Sequence, residues 1–151
     1  MEEATNKVVD LNSEFHFKVD AKGRVSLPAQ FRKVLSDHLV VTRNPSDECL
    51  YVFEAPSFND WVSTLFEDRF GGFDASNRTQ IQLRRKLKSR ARDVDVDASG
   101  RIMLPLDQRE AVGITKEIVI VGNTGYFEIW DAKRYADLDA EVDLNLLFGE
   151  A

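Results

Sequence analysis

The sequence predicts an α+β protein built from two tandem ββαββα repeats with flanking helices. Three observations carry this. Val19-Asp20-Ala21-Lys22-Gly23-Arg24-Val25-Ser26-Leu27-Pro28 recurs as Val96-Asp97-Ala98-Ser99-Gly100-Arg101-Ile102-Met103-Leu104-Pro105, 77 residues on. Over 17–35 against 94–112, eight of nineteen positions are identical, where chance pairing leaves about one or two. Around both copies, short runs of alternating apolar and polar residues mark half-buried strands, and one longer run has helical spacing. After two compensating loop changes the offset returns to 77: Leu50-Tyr51-Val52-Phe53-Glu54-Ala55 lies against Phe127-Glu128-Ile129-Trp130-Asp131-Ala132.

The elements follow in order. Phe15, Phe17 and Val19 alternate with polar residues, as in a strand with one buried face. Asp20-Ala21-Lys22-Gly23 is a tight turn: the Asp side chain bonds backbone N–H groups ahead of it, and Gly supplies a positive φ. A short strand spans Val25 to Leu27. Pro28 suits the start of a short helix reaching about Leu35, since it has no N–H to lose there. Strands follow at Leu39–Thr42 and Leu50–Phe53, joined by Asn44-Pro45-Ser46-Asp47 turn chemistry. A helix is expected from Ser57 as N-cap, with Asp60 three residues on. Phe58, Trp61, Val62, Leu65 and Phe66 give it one apolar face. Phe70-Gly71-Gly72-Phe73 reads as a loop, followed by a basic helix from Ser76 or Asn77 towards Arg90 with a narrow stripe of Ile81, Leu83, Leu87 and Ala91. The second copy predicts strands near 94–97, 101–104, 117–121 and 126–130 and a helix after Asp131. The repeats are assigned to 14–70 and 94–138, with 71–93 a linker carrying the basic helix and 139–151 an acidic C-terminal tail. That tail reads either as a docking helix or as a frayed end.

Composition bounds what these repeats do. At 151 residues, 43% hydrophobic and 30% charged, the chain has material for a packed core and no low-complexity run. No apolar run approaches the roughly 18–20 residues a membrane span needs, and the N-terminus lacks an apolar signal region, so a cytoplasmic protein is expected. Cys49 is the single cysteine, which excludes an internal disulfide. The formal net charge of −6 opposes binding to a polyanion, so charge distribution matters more than the total. Residues 76–92 hold seven Arg or Lys and no acid, and residues 18–33 hold Lys18, Lys22, Arg24, Arg32 and Lys33 against Asp20 alone. Acids gather in 44–70 and after Asp131.

Catalytic templates are missing: there is no nucleophile elbow, phosphate-binding loop or dinucleotide fingerprint, and His16 and His38 lack metal-ligand spacing. Neither an enzyme nor a metal site is expected. Cys49 reads as core. Asp20 and Asp97 read as turn-capping residues beside Gly23 and Gly100, in preference to a catalytic carboxylate pair. Arg24 and Arg101 leave two readings open. Each can pair with the Asp of its own turn, or present a guanidinium fork to phosphate or to guanine O6 and N7. A two-stranded ribbon also fits the major groove of B-DNA. Lys22 makes the first turn more cationic than the second, where Ser99 stands. The basic helix is either a solvated face or a nucleic-acid contact.

The tandem D-x-x-G-R-h-x-h-P pattern (h, hydrophobic), in Asp20–Pro28 and Asp97–Pro105, resembles the MraZ family of bacterial transcriptional regulators. Cys49-Leu50-Tyr51-Val52-Phe53 looks like its Cys-Leu strand, and Val121-Gly122 followed by Phe127-Glu128-Ile129-Trp130 like its final strand pair. The resemblance covers about residues 14–138. It implies that two swapped-hairpin units of AbrB/MazE type pair into one β-barrel-like domain with flanking helices. It further implies ring-shaped homo-oligomers that bind G-containing direct repeats in double-stranded promoter DNA. The implied targets are the protein's own operon and the division and cell-wall gene cluster, which it represses. Carried over by position, DNA contact falls on Lys22, Arg24 and Arg101. Arg32, Lys33, Arg84, Arg85, Lys86 and Lys88 stand as electrostatic candidates only. The resemblance implies no cofactor, membrane or small-molecule partner, and a nucleoid-associated location. The alternative is an antitoxin-like module of the same fold that binds a protein partner. Such antitoxins usually carry one hairpin unit and a long disordered tail, whereas this chain has two units and a short tail.

Overall fold

The structure, a computed structural model, describes residues 8–149. Strands β1 (Glu14–Lys18) and β2 (Arg24–Ser26) lead into helix α1 (Ala29–Arg32), strands β3 (His38–Arg43) and β4 (Leu50–Glu54), and helix α2 (Ala55–Phe70). Helix α3 (Arg78–Arg90) joins this half to β5 (Arg92–Asp95), β6 (Arg101–Met103), α4 (Leu106–Ala111), β7 (Glu117–Gly122), β8 (Phe127–Asp131) and α5 (Ala132–Asp139). A single 3-10 turn, Leu144–Leu146, follows. The repeat is visible in the element bounds: β2 and β6, and β4 and β8, stand 77 residues apart at both ends.

The strands do not pair within their own repeat alone. A six-stranded antiparallel sheet runs β1-β7-β8-β4-β3-β5. Its first edge strand comes from the first repeat and pairs with β7 of the second, Phe17 facing Ile118. Its last edge strand comes from the second repeat and pairs with β3 of the first, Leu39 facing Val94. Exchanging the repeats maps this strand order onto itself. The short strands β2 and β6 leave the sheet and pair with each other as a separate ribbon, Val25 opposite Ile102. The chain from β1 to β2 is therefore a turn between two sheets and not a closed hairpin. The turn puts Asp20 N–H on the Arg24 carbonyl (2.9 Å), but each strand then finds its ladder partner in the other repeat.

Side chains alternate across the sheet and build two cores. On one face Leu39, Val41, Leu50, Val52, Ile118 and Ile120 pack against Val25 and Ile102 of the ribbon and Phe31 of α1. The Phe31 ring stands 5.4 Å from Phe15 and 5.3 Å from Phe127. On the opposite face Val40 and Phe53 meet Phe58, Val62 and Phe66 of α2, with Leu87 and Ala91 at the end of α3. Helix α5 covers the β7–β8 half of that face, Trp130 lying 5.7 Å from Tyr135. The sheet is thus a middle layer, with ribbon, α1 and α4 on one side and α2, α3 and α5 on the other.

Two helix bounds differ from expectation. α1 ends at Arg32, not Leu35, because Val34 N–H turns back to Phe31, three residues earlier (3.1 Å). α2 starts at Ala55, directly off β4, with Pro56 in its first turn, so Ser57 is not the cap. Glu54 holds the cap position, but its carboxylate accepts from Ser36 N–H at 2.7 Å and is spent on α1's exit loop. In the second repeat Asp131 occupies the same place and does cap, accepting from Arg134 N–H at 3.3 Å. The basic helix is capped by Asn77, which accepts from Gln80 N–H.

Candidate nucleic-acid interface

The two Asp-x-x-Gly-Arg turns close the two ends of the β2–β6 ribbon. In each, a carboxylate oxygen of Asp20 or Asp97 accepts three-centre fashion from the backbone ahead: Lys22 and Arg24 N–H at 2.9 and 2.8 Å, Ser99 and Arg101 N–H both at 2.9 Å. Gly23 and Gly100 take φ of +84° and +79°, where a side chain is strained. The ribbon is then stitched end to end, Leu27 N–H reaching the Gly100 carbonyl and Leu104 N–H the Gly23 carbonyl, each at 2.9 Å.

Register and alternation decide what the ribbon presents. Val25 and Ile102 point into the core, so Arg24, Ser26, Arg101 and Met103 share the outer face, Arg24 opposite Met103 and Ser26 opposite Arg101. Arg24 donates from Nε to Asp20 at 2.8 Å, and Arg101 from Nε to Asp97 at 3.3 Å. Arg101 Nη1 also lies 3.9 Å from Asp20, which couples the two turns across the ribbon. Both arginine side chains are about a third exposed (27% and 31%). Hydrogen bonds from the Arg24 and Arg101 backbone N–H groups, before any charge effect, hold both carboxyls below the usual aspartate range. The pairing expected of a structural arginine is present, yet it engages only Nε and leaves the end-on Nη fork of Arg24 without a hydrogen bond to the described residues.

Two further arginines belong to this surface. Arg109 of α4 lies against Gly23: a Cβ added there would stand 2.7 Å from Arg109 Nη2. Arg32 of α1 lies in the same way against Gly100, where a Cβ would strike its guanidinium. Each repeat therefore lays an arginine on the other repeat's turn, and the glycines are required by this approach as well as by φ. Arg109 was not among the sequence candidates, although it is the repeat partner of Arg32, 77 residues on. The identity at that offset was the signal. Its Nε donates to the Leu104 carbonyl at 3.1 Å, which fixes the head over the turn. Lys22 is exposed at the tip of the first turn, and Lys33 is exposed after α1. Ribbon and turns thus gather Lys22, Arg24, Arg32, Arg101 and Arg109 around Asp20 and Asp97.

The other electrostatic candidates lie elsewhere. Arg84, Arg85, Lys86 and Lys88 belong to α3, on the far side of the sheet from the ribbon. Arg84 stacks over Phe73 at 3.6 Å and Lys88 donates to Asn59 at 3.0 Å. Cys49 is fully buried and burial pushes its thiol up, which suits core packing. His16 meets Glu14 at 2.9 Å and His38 meets Asp95 at 2.6 Å, both on the protein surface.

The comparisons agree with this architecture. The family model described as "MraZ protein, putative antitoxin-like" matches residues 11–81 and 87–147. A protein of Alcanivorax borkumensis named "Transcriptional regulator MraZ" is 34% identical over 129 residues, 83% of this chain and 85% of its own. Proteins of the same name from Polaromonas sp. and Symbiobacterium thermophilum are 39% and 35% identical, over 82% and 85% of this chain and 83% and 89% of theirs. Two matched segments, each holding one Asp-x-x-Gly-Arg turn and its strands, and relatives that span most of the chain place this protein in the MraZ family.

Proposed function

We propose that this chain is a transcriptional regulator that binds double-stranded promoter DNA through the outer face of the β2–β6 ribbon. The observation that carries the proposal is the gathering of Arg24 and Arg101, one from each repeat, on one exposed ribbon face, with Arg32, Arg109 and Lys22 at its ends. A two-stranded ribbon has the width to enter the major groove. Asp20 holds Arg24 by Nε at 2.8 Å, which restrains the side chain while its Nη pair makes no hydrogen bond to the described residues. Such a fork reads guanine O6 and N7 bidentately, and each pair of this kind discriminates by about 1–3 kcal/mol. Arg32, Arg109, Lys22 and Lys33 are assigned to phosphates. In this reading the strand exchange between repeats is the swapped-hairpin arrangement of AbrB-type proteins, held within one chain.

One subunit offers few contacts and carries a net charge of −6. Affinity therefore comes from a ring-shaped homo-oligomer meeting several G-containing direct repeats, with each further contact intramolecular. The targets are the protein's own operon and its division and cell-wall neighbours, repressed from a cytoplasmic, nucleoid-associated pool. The test is fluorescence anisotropy with the protein's upstream DNA across salt, for wild type and Arg24→Ala. A salt-sensitive, sequence-dependent signal that Arg24→Ala loses while keeping its circular dichroism supports the reading. Normal binding by Arg24→Ala refutes the site. No binding at low salt by a folded oligomer favours a protein partner instead.

A further inference from the structure

The second basic island is not absorbed by the ribbon. Between α2 and α3, on the far face of the sheet, lies a groove of about 450 Å³. Trp61, Leu65 and Phe70 line one wall and Leu83 and Leu87 the other. Leu83 and Phe70 are 45% and 44% exposed, so the groove is open and apolar. Its rim is cationic: Arg69 and Lys86 border it, and Arg43 and Arg90 share a single acid, Asp47, at 3.4 and 2.9 Å.

The same chain carries a segment of opposite character. From the last residue of α5 onward come Asp139, Glu141 and Asp143, with no Lys or Arg beyond Arg134. Leu144, Leu147 and Phe148 are 64%, 78% and 70% exposed. They stand at i, i+3 and i+4, and Asp143 already caps a turn there by accepting from Asn145 N–H at 3.0 Å. That spacing is the pattern of an apolar helix face laid into a groove between two helices. Among the described residues this face packs on nothing and stays exposed.

We infer that the tail segment 142–148 of one copy docks, as a short amphipathic turn, into the α2–α3 groove of a second copy. Leu144, Leu147 and Phe148 enter between Trp61, Leu65 and Leu83, and Glu141 and Asp143 face Arg69 and Lys86. The contact joins two different patches, so it is head-to-tail and closes into a ring when the rotation allows. The groove lies across the sheet from the ribbon, which stays free for DNA. The inference rests on the self-association proposed above and names its surface.

The test uses the full chain in two variants, Leu83→Cys and Phe148→Cys, one lengthened by a tag, mixed under mild oxidation. Buried Cys49 serves as an inert background, checked with wild type. The expected product is a mixed disulfide joining the two lengths. In sedimentation, Leu147→Glu weakens self-association about tenfold or more with unchanged circular dichroism. If the assembly persists in Leu147→Glu and no mixed disulfide forms, this inference is wrong while the ring reading stands. If only the double variant Leu83→Cys/Phe148→Cys crosslinks, within one chain, the tail docks on its own groove and the second-copy inference is again wrong. A wild type that sediments as a monomer at every concentration refutes the ring reading itself.

Discussion

Asp20 and Asp97 each serve two neighbours at once: a carboxylate oxygen closes the turn through backbone N–H groups, and the other holds an arginine by Nε. Asp20→Asn keeps a turn-closing oxygen but loses the charge that orients Arg24, so DNA affinity is expected to fall and the carboxylate's contribution to the fold to be lost; paired anisotropy and melting curves check this. The pH dependence has a definite sign. Both carboxyls sit below their ordinary value of 3.8, so their contribution to the folded state is complete above that value and is lost as pH falls through the lowered one. His38 runs the other way: its hydrogen bond to Asp95 raises it above 6.5, so its contribution is present below 6.5 and fades as pH rises through the raised value. Gly23→Ala meets both a φ of +84° and the Arg109 head. It is expected to cost about 1–2 kcal/mol in urea unfolding and to displace Arg109 from the ribbon end.

At the scale of elements, the ribbon is anchored by its two inward residues. Val25 and Ile102 are each 1% exposed, and Ile102→Ala should destabilise the fold by about 2–4 kcal/mol, read from chemical denaturation. Helix α3 faces the other core, so Arg85→Ala is expected to leave binding to a single DNA repeat within about twofold of wild type, within ordinary scatter for a surface change. The sequence made most of these elements legible, because local patterns report local structure: the alternation of Phe15 and Phe17, the Asp-x-x-Gly turns, and Asn77 before the basic helix. It failed at Ser57, where a good capping residue lost to Pro56 and a strand running straight into its helix. It also failed to give strand partners. The alternation in β1 says that one face is buried, and nothing in it distinguishes β2 from β7 as neighbour. Arg109 was hidden for a similar reason, since its place over Gly23 depends on a pairing between residues far apart in sequence.

At the scale of the molecule, neither repeat completes its own sheet. A fragment of residues 8–90 lacks β5 beside β3, β6 beside β2 and β7 beside β1. Such a fragment is expected to be unfolded or to dimerise, and sedimentation with circular dichroism separates these. If affinity comes from a ring on several repeats, DNA with three repeats should bind at least tenfold more tightly than DNA with one, at equal salt. Equal affinity for both would remove the need for assembly in recognition.

Lys22 and Ser99 stand at corresponding tips, and Ser26 and Met103 at corresponding places on the ribbon face. A dimer of identical halves has no front or back along a duplex, and its preferred site must read alike on both strands. Fusion of the halves lifts that constraint, and these substitutions give the ribbon a leading and a trailing end. If the ribbon reads DNA as proposed, each of its sites then carries an arrow. Inverting one site in an array would then point one subunit against its neighbours.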